Sequence, residues 1–287
     1  MLYYPIYEEL ISVDLLSRIL ECQTDEEADV IIKEEIDKMQ NSTQPIEQLG
    51  FLDYGKCTSC YKGFIPLHTR IKYSNMDIED YGMESTDFFY EFAHLLRKHK
   101  INNKGALIHY MEYFINQYFG FSGKCDRETI FYYNAWNSAV TDKEFFAALK
   151  NNKLGDLKGK GAAECTERGA LAQQLLSLFK TESYYCIGHI EVDNIQEGHC
   201  FNIVKRKNDY ALLDYSVPVE VYDSNGKLRA YYPFVGELSE EEFLEFTSNG
   251  VLKIFDNYQY VGSTKKRTGS SRKYVVGSYT IEKAKKM

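Results

Sequence analysis

The chain predicts an α+β fold: a helical region over residues 1–150 packed on a unit, residues 151–287, made of one helix followed by an antiparallel sheet. Three observations predict it. Apolar residues recur at helical spacing through most of the first half. After Asn151 a Gly-rich stretch, Gly155 to Gly161, leads into a single Leu-rich helix and then into strand-like runs. Short clusters of turn residues separate those runs, as antiparallel hairpins require.

Taken in order, Leu10, Ile11, Leu15, Leu16 and Ile19 recur at helical spacing. A second helix is expected over Asp25–Met39, with Ala28, Ile31, Ile32 and Ile36 on one face. Ser42 to Gly82 is irregular, with two Pro and a Cys-x-x-Cys, and reads as loop-rich. Helical periodicity returns with Phe88, Phe89, Phe92, Leu95 and Leu96, and again with Leu107, Tyr110, Met111, Phe114 and Tyr118. Thr141-Asp-Lys-Glu144 has capping-box form ahead of Phe145, Phe146 and Leu149.

The helix from Glu164 to Lys180 carries Leu171, Leu175 and Leu178 on its expected buried stripe. Strands are expected at Tyr184–Val192, His199–Lys205, Tyr210–Tyr215, Val217–Tyr222 and Leu228–Phe234. Asp193 to Gly198, Lys207 to Asp209 and Asp223 to Gly226 supply the turns between them. Ser239-Glu-Glu-Glu242 opens a short helix, and strands at Val251–Val261 and Lys273–Ile281 close the pattern.

Composition narrows the function classes. Of 287 residues 44% are hydrophobic and 26% charged, ordinary globular usage. Five prolines rule out a Pro-rich linker or mucin-like stalk. The net charge of −8 opposes a nucleic-acid-binding domain, which needs a basic footprint. Basic residues concentrate from Thr264 onward, where they read as a solubilising end. Acidic Glu8, Glu9 and Asp14 interrupt the N-terminal apolar stretch, so no signal peptide is expected, and no apolar run is long enough to span a membrane. Seven irregularly spaced cysteines suit a reducing compartment. Together these predict a cytoplasmic protein with neither a nucleic-acid partner nor a membrane span.

Chemistry concentrates in GKGAAECTERGALAQQLLSLF, GHCFNIV and YALLDYS. Cys165 heads the Leu-rich helix, where free backbone N–H groups and the macrodipole favour a thiolate. A thiolate nucleophile needs a proton carrier for its leaving group, and His199 opens a strand 34 residues later. Asp214 follows near the end of the next strand. If the hairpin loop is even-numbered, as with the four residues 206–209, Lys205 opposes Tyr210. In that register His199 and Asp214 share a face as diagonal neighbours, so the carboxylate can orient the imidazole. An odd loop would set the two on opposite faces. His189 is the competing base, but it falls inside a strand-like run rather than at its head.

Cys at the head of a Leu-rich helix, His opening a strand and Asp after an aliphatic pair resemble the transglutaminase-like superfamily, circularly permuted relatives of papain. Within it, Cys165-Thr-Glu167-Arg-Gly-Ala-Leu is most similar to bacterial core-domain members and peptide N-glycanases. The resemblance covers roughly residues 155 to 220. It implies a papain/transglutaminase-like core with Cys165, His199 and Asp214 as catalytic triad, no cofactor, and a protein or peptide substrate. Two departures stand out: Phe201 holds a position where the family often has Trp, and no Pro follows Asp214 directly, Tyr215-Ser216 standing there instead.

The activity so implied is acyl transfer through a Cys165 thioester, resolved by water in a cysteine protease or amidase, or by an amine in a transglutaminase. Two alternatives remain open. One is a non-catalytic binding module; the other is an arylamine N-acetyltransferase-like enzyme, whose Arg-Gly-Gly-x-Cys context Ala162-Ala-Glu-Cys165 does not match. Family members often place a Trp or Gln upstream of the nucleophile; Trp136 and Asn134 lie upstream here and read equally as core residues. Cys57 and Cys60, with His68 nearby, form half a zinc knuckle without a second half, so no metal site is expected. The Asn41-Ser-Thr43 sequon has no meaning in a cytosolic chain.

Overall fold

The computed structural model describes residues 13–41, 60–65, 70–71, 81–82, 85–102, 104–119, 154–159, 163, 165–192, 195–217, 219–249, 253–261 and 264–276. The expected capping box at Thr141–Glu144, Trp136, Asn134, Cys57 and His68 lie outside them.

Helix α1 (Val13–Glu21) and helix α2 (Asp25–Gln40) form where periodicity places them, with Thr24 capping α2 by accepting the Glu27 N–H at 3.3 Å. Three short strands follow, β1 (Cys60–Lys62), β2 (Arg70–Ile71) and β3 (Tyr81–Gly82). Helices α3 (Asp87–His99) and α4 (Lys104–Tyr118) bury the predicted Phe88, Phe89, Phe92, Leu96, Leu107, Met111 and Phe114. The stretch read as loop-rich thus contributes β1, which pairs antiparallel with a later strand of the main sheet.

Helix α5 (Cys165–Leu178) departs from its expected single stripe: every one of its residues is buried. One side lies on the sheet, and α2 and α4 cover the other. Burial on all sides forces its polar side chains to find partners, and they clamp the surrounding backbone. Gln174 accepts from Ile65 N at 3.0 Å and donates to Ile65 O at 2.7 Å. Gln173 donates to Gly63 O at 2.8 Å and to Ser183 O at 3.1 Å. Asn202 donates to Gly169 O at 3.0 Å.

The strands then run β4 (Ser183–Val192), β5 (Ile195–Lys205), β6 (Tyr210–Leu213), β7 (Val219–Tyr222), β8 (Leu228–Tyr232) and β9 (Phe234–Leu238), then helix α6 (Glu240–Asn249) and the hairpin β10 (Lys253–Val261) with β11 (Thr264–Val276). Three readings are corrected here. The closing strand starts at Thr264 rather than Lys273, so the first part of the expected solubilising end lies in the sheet. β5 resumes at Ile195, so the β4–β5 connection is much tighter than the expected Asp193–Gly198 turn. The expected strand Leu228–Phe234 is two strands, broken at Pro233, which has no N–H to give a ladder.

Among the described residues the sheet has nine strands in the order β8-β7-β10-β11-β4-β5-β6-β9, with β1 added on β4; only β7–β10 is parallel. β8 and β9 therefore occupy opposite ends of the order while Pro233 alone separates them in sequence. The sheet must curl until its two edges nearly meet. Inside the curl, the Cβ position of Gly236 on β9 lies 2.2 Å from the Phe255 ring on β10, a contact between strands far apart in the order.

Alternation sorts the side chains onto two faces. Tyr184, Cys186, Phe201, Ile203, Tyr210, Leu212, Phe255 and Tyr274 fill the concave face, together with Phe243 and Phe246 of α6. Tyr185, Cys200, Val204, Ala211 and Leu213 face α5 and the N-terminal helices in one apolar cluster that runs from Leu15 to Phe234. No described helix is long and apolar enough to cross a membrane.

The Gln174 clamp sets a measurable cost. Gln174→Ala leaves a buried N–H and a buried C=O of Ile65 unpaired and should lower the unfolding free energy by about 2–4 kcal/mol in chemical denaturation. A loss under about 0.5 kcal/mol, the range of an ordinary surface substitution, would show that the clamp contributes nothing.

Candidate functional site

The β5–β6 hairpin has the register derived from its loop: Lys205 opposes Tyr210 and Asn202 opposes Leu213. His199 and Asp214 consequently meet, His199 Nε2 donating to Asp214 Oδ2 at 2.8 Å. Both are almost wholly buried, at 3% and 0% exposure. Asp214 has three further donors. Ser216 N and Val217 N each bond Oδ1 at 2.9 Å, and the Tyr274 hydroxyl bonds Oδ2 at 2.7 Å.

Tyr274 reaches Asp214 across β4 and β5 because the sheet curls. Gly188, opposite His199 on β4, permits the close packing of β11 there: a Cβ at Gly188 would lie 1.8 Å from Val275 O. Arg272, two residues before Tyr274, donates to Val217 O and so holds the loop that follows Asp214.

Cys165, the first residue of α5, is 7% exposed, and its side chain interacts with the His199 ring. With Nε2 committed to Asp214, Nδ1 is the ring nitrogen available to it. A second sulfur adjoins it. Thr166 Oγ1 lies 3.4 Å from Cys200 Sγ and 4.0 Å from Cys165 Sγ, so both sulfurs meet one hydroxyl.

The electrostatics follow from burial set against partners. Burial opposes the Asp214 charge, but His199, then Arg272 and Tyr274, hold its carboxyl far below the ordinary carboxylate range. Burial likewise opposes protonation of His199, and Asp214 overrides it, raising the imidazole to about 10. The Cys165 thiol differs from the sequence expectation. Its hydrogen bond with Cys200 and its burial hold it above the usual thiol value, against the pull of His199. A helix terminus lowers a thiol pKa when the sulfur is solvated, and here desolvation outweighs it.

A second polar group adjoins the site. Arg168 is buried and donates to Asn116 Oδ1 at 2.6 Å and to Tyr215 O and Ala163 O at 3.4 Å, tying α4 to the start of α5 and to the loop after Asp214. Burial raises Glu112 on α4 to about 8, against the opposing effect of Arg168. His189, the rival base, lies on β4 opposite Gly198 and interacts with Glu191.

Sequence reasoning missed Tyr274, Cys200, Arg272, Arg168 and Glu112. Only Cys200, adjacent to His199, carried a local signal. Cys60 falls in β1, and among the described residues no group of three or more His, Cys, Asp or Glu is arranged to hold a metal ion. No family model matches the chain, and no curated protein or solved structure matches it.

The shifts fix a pH profile. The raised pKa of His199 contributes stability that is complete below its ordinary value of 6.5 and is lost as pH rises toward about 10. The lowered pKa of Asp214 contributes stability present above its ordinary 3.8 and lost as pH falls below it. Melting temperature should therefore be highest between these ordinary values. In Asp214→Asn, where the largest influence raising the ring is gone, His199 should titrate well below about 10 by NMR and the alkaline decline should flatten. An unchanged His199 titration would assign its shift to another group.

Proposed function

We propose that this chain is a thiol-dependent acyl-transfer enzyme with a papain/transglutaminase-like core, acting as a cysteine protease or amidase on a peptide or amide bond. The observation that carries the proposal is the buried His199–Asp214 bond at 2.8 Å, with Cys165 at the head of α5 interacting with the same imidazole and its sulfur 4.0 Å from the carbonyl oxygen of the preceding Gly198. The resemblance of Cys165-Thr-Glu167 and its Leu-rich helix to transglutaminase-like proteins supports the same reading.

In this reading the Cys165 thiol first loses its proton to water, and the thiolate attacks the amide carbonyl carbon. Backbone N–H groups at the start of α5, which have no intrahelical acceptor, face the developing oxyanion. His199, kept protonated by Asp214, gives its proton to the leaving amine as the C–N bond breaks, and a thioester remains. Neutral His199 then takes a proton from water, and the hydroxide so formed attacks the thioester, releasing the carboxylic acid and the Cys165 thiolate beside a reprotonated His199. An amine in place of water would give the transglutaminase outcome. Asp214 holds the ring by Nε2 and stabilises the imidazolium without itself accepting a proton.

One observation favours a second reading, a non-catalytic module. A Cys165 thiol that is nearly covered and held above its usual pKa is a poor resting nucleophile.

A peptidyl vinyl sulfone separates the two. The enzyme reading expects covalent labelling at Cys165 that is abolished in Cys165→Ala and slowed about 10²-fold or more in His199→Ala, the range of general acid–base assistance. Asp214→Asn, assayed well below its own melting transition, should label more slowly, by less than the Cys165→Ala loss. Labelling of Cys165 that ignores both His199 and Asp214 would leave only the module.

A further inference from the structure

Cys200 plays no part in the acyl-transfer steps above, yet its surroundings are specific. Cys200 is 3% exposed, and its sulfur shares one neighbour with that of Cys165: the Thr166 hydroxyl lies 3.4 Å from Cys200 Sγ and 4.0 Å from Cys165 Sγ. Both sulfurs are thus buried against one side chain. The face matters as well. Cys200 alternates onto the α5 side of β5 beside Cys165, whereas Cys186 on β4 lies in the concave cluster on the opposite face.

We infer that Cys165 and Cys200 form a peroxide-sensitive pair that closes into a disulfide, switching the site off reversibly. The Cys200 thiolate attacks one oxygen of hydrogen peroxide, the O–O bond breaks, and hydroxide leaves. Cys200 becomes a sulfenic acid. The hydroxide takes the Cys165 proton as water. The Cys165 thiolate then attacks the sulfenic sulfur and expels a second hydroxide, which becomes water with the proton Cys200 had given up. Two thiols are each oxidised by one electron, peroxide is reduced by two, and the net products are one disulfide and two waters. Burial pushes the Cys200 thiol up, and its polar neighbours, Cys165 first and then Thr166, outweigh that and hold it below the usual thiol value. The bond ties up the Cys165 sulfur before it can be oxidised irreversibly.

The loss of activity rests on Cys165 being the nucleophile proposed above; the bond itself does not. The full chain is treated with a few equivalents of hydrogen peroxide, blocked with iodoacetamide and digested without reduction by trypsin and a Glu-specific protease. The second cleavage, after Glu191 and Glu197, separates Cys186 from Cys200. The expected product links the Cys165 and Cys200 peptides and is two hydrogens lighter than their sum. Vinyl sulfone labelling of Cys165 should fall more than about tenfold and return with dithiothreitol. In Cys200→Ser the linked peptide is absent and dithiothreitol restores nothing; in Cys186→Ser the link is unchanged. Failure of the wild-type chain to form the link, at a peroxide dose that oxidises half-buried Cys22, overturns the inference whether or not the serine variants fold. A link without any acyl-transfer activity would overturn the proposed function and leave the disulfide standing.

Discussion

A carboxylate with no exposure to water organises this molecule. Asp214 gives up hydration worth several kcal/mol and recovers it only through four donors held in place at once. Those donors come from three parts of the chain: the turn after β6, His199 on β5 and Tyr274 on β11. Each must arrive in register for the charge to be tolerable. The same arrangement keeps His199 protonated far above neutral pH, so a solution to a burial problem also sets the proton inventory of the site.

The geometry that gathers those donors is the curl of the sheet. Pro233 ends β8 and starts β9 one residue later, at the other end of the strand order. Its carbonyl accepts the Asp214 N–H at 2.7 Å, so the closing point of the sheet is bonded directly to the site residue. The small residues Gly188 and Gly236 stand where side chains would block the packing that the curl needs. On the convex side, α5 is sealed between the sheet and the N-terminal helices, and its amide side chains hold residues 63–65 against it.

Burial of α5 has a chemical consequence for its first residue. A solvated helix terminus would promote the Cys165 thiolate. In this structure desolvation and the neighbouring Cys200 thiol work against it, while His199 works for it. The two sulfurs and Thr166 form one hydrogen-bonded group, so the ionisation of either cysteine belongs to the pair.

The sequence by itself determined what depends on near neighbours. Periodicity placed α2, α3, α4 and α5, and alternation and turn residues placed β4, β6 and the second half of β5. Given an even loop, the shared face of His199 and Asp214 followed from the sequence, and the structure decided that parity. Only the tertiary structure decided the rest. Nothing local marks Tyr274 as a partner of Asp214, since β11 meets that residue only through the closure of the sheet. The all-round burial of α5, with Gln173 and Gln174 as clamps and Arg168 as a tie to α4, required the second helical layer that a single-stripe pattern does not encode. The Cys165 pKa turned on the same point: helix position is written in the sequence, whereas the dielectric around a sulfur is set by everything that packs over it.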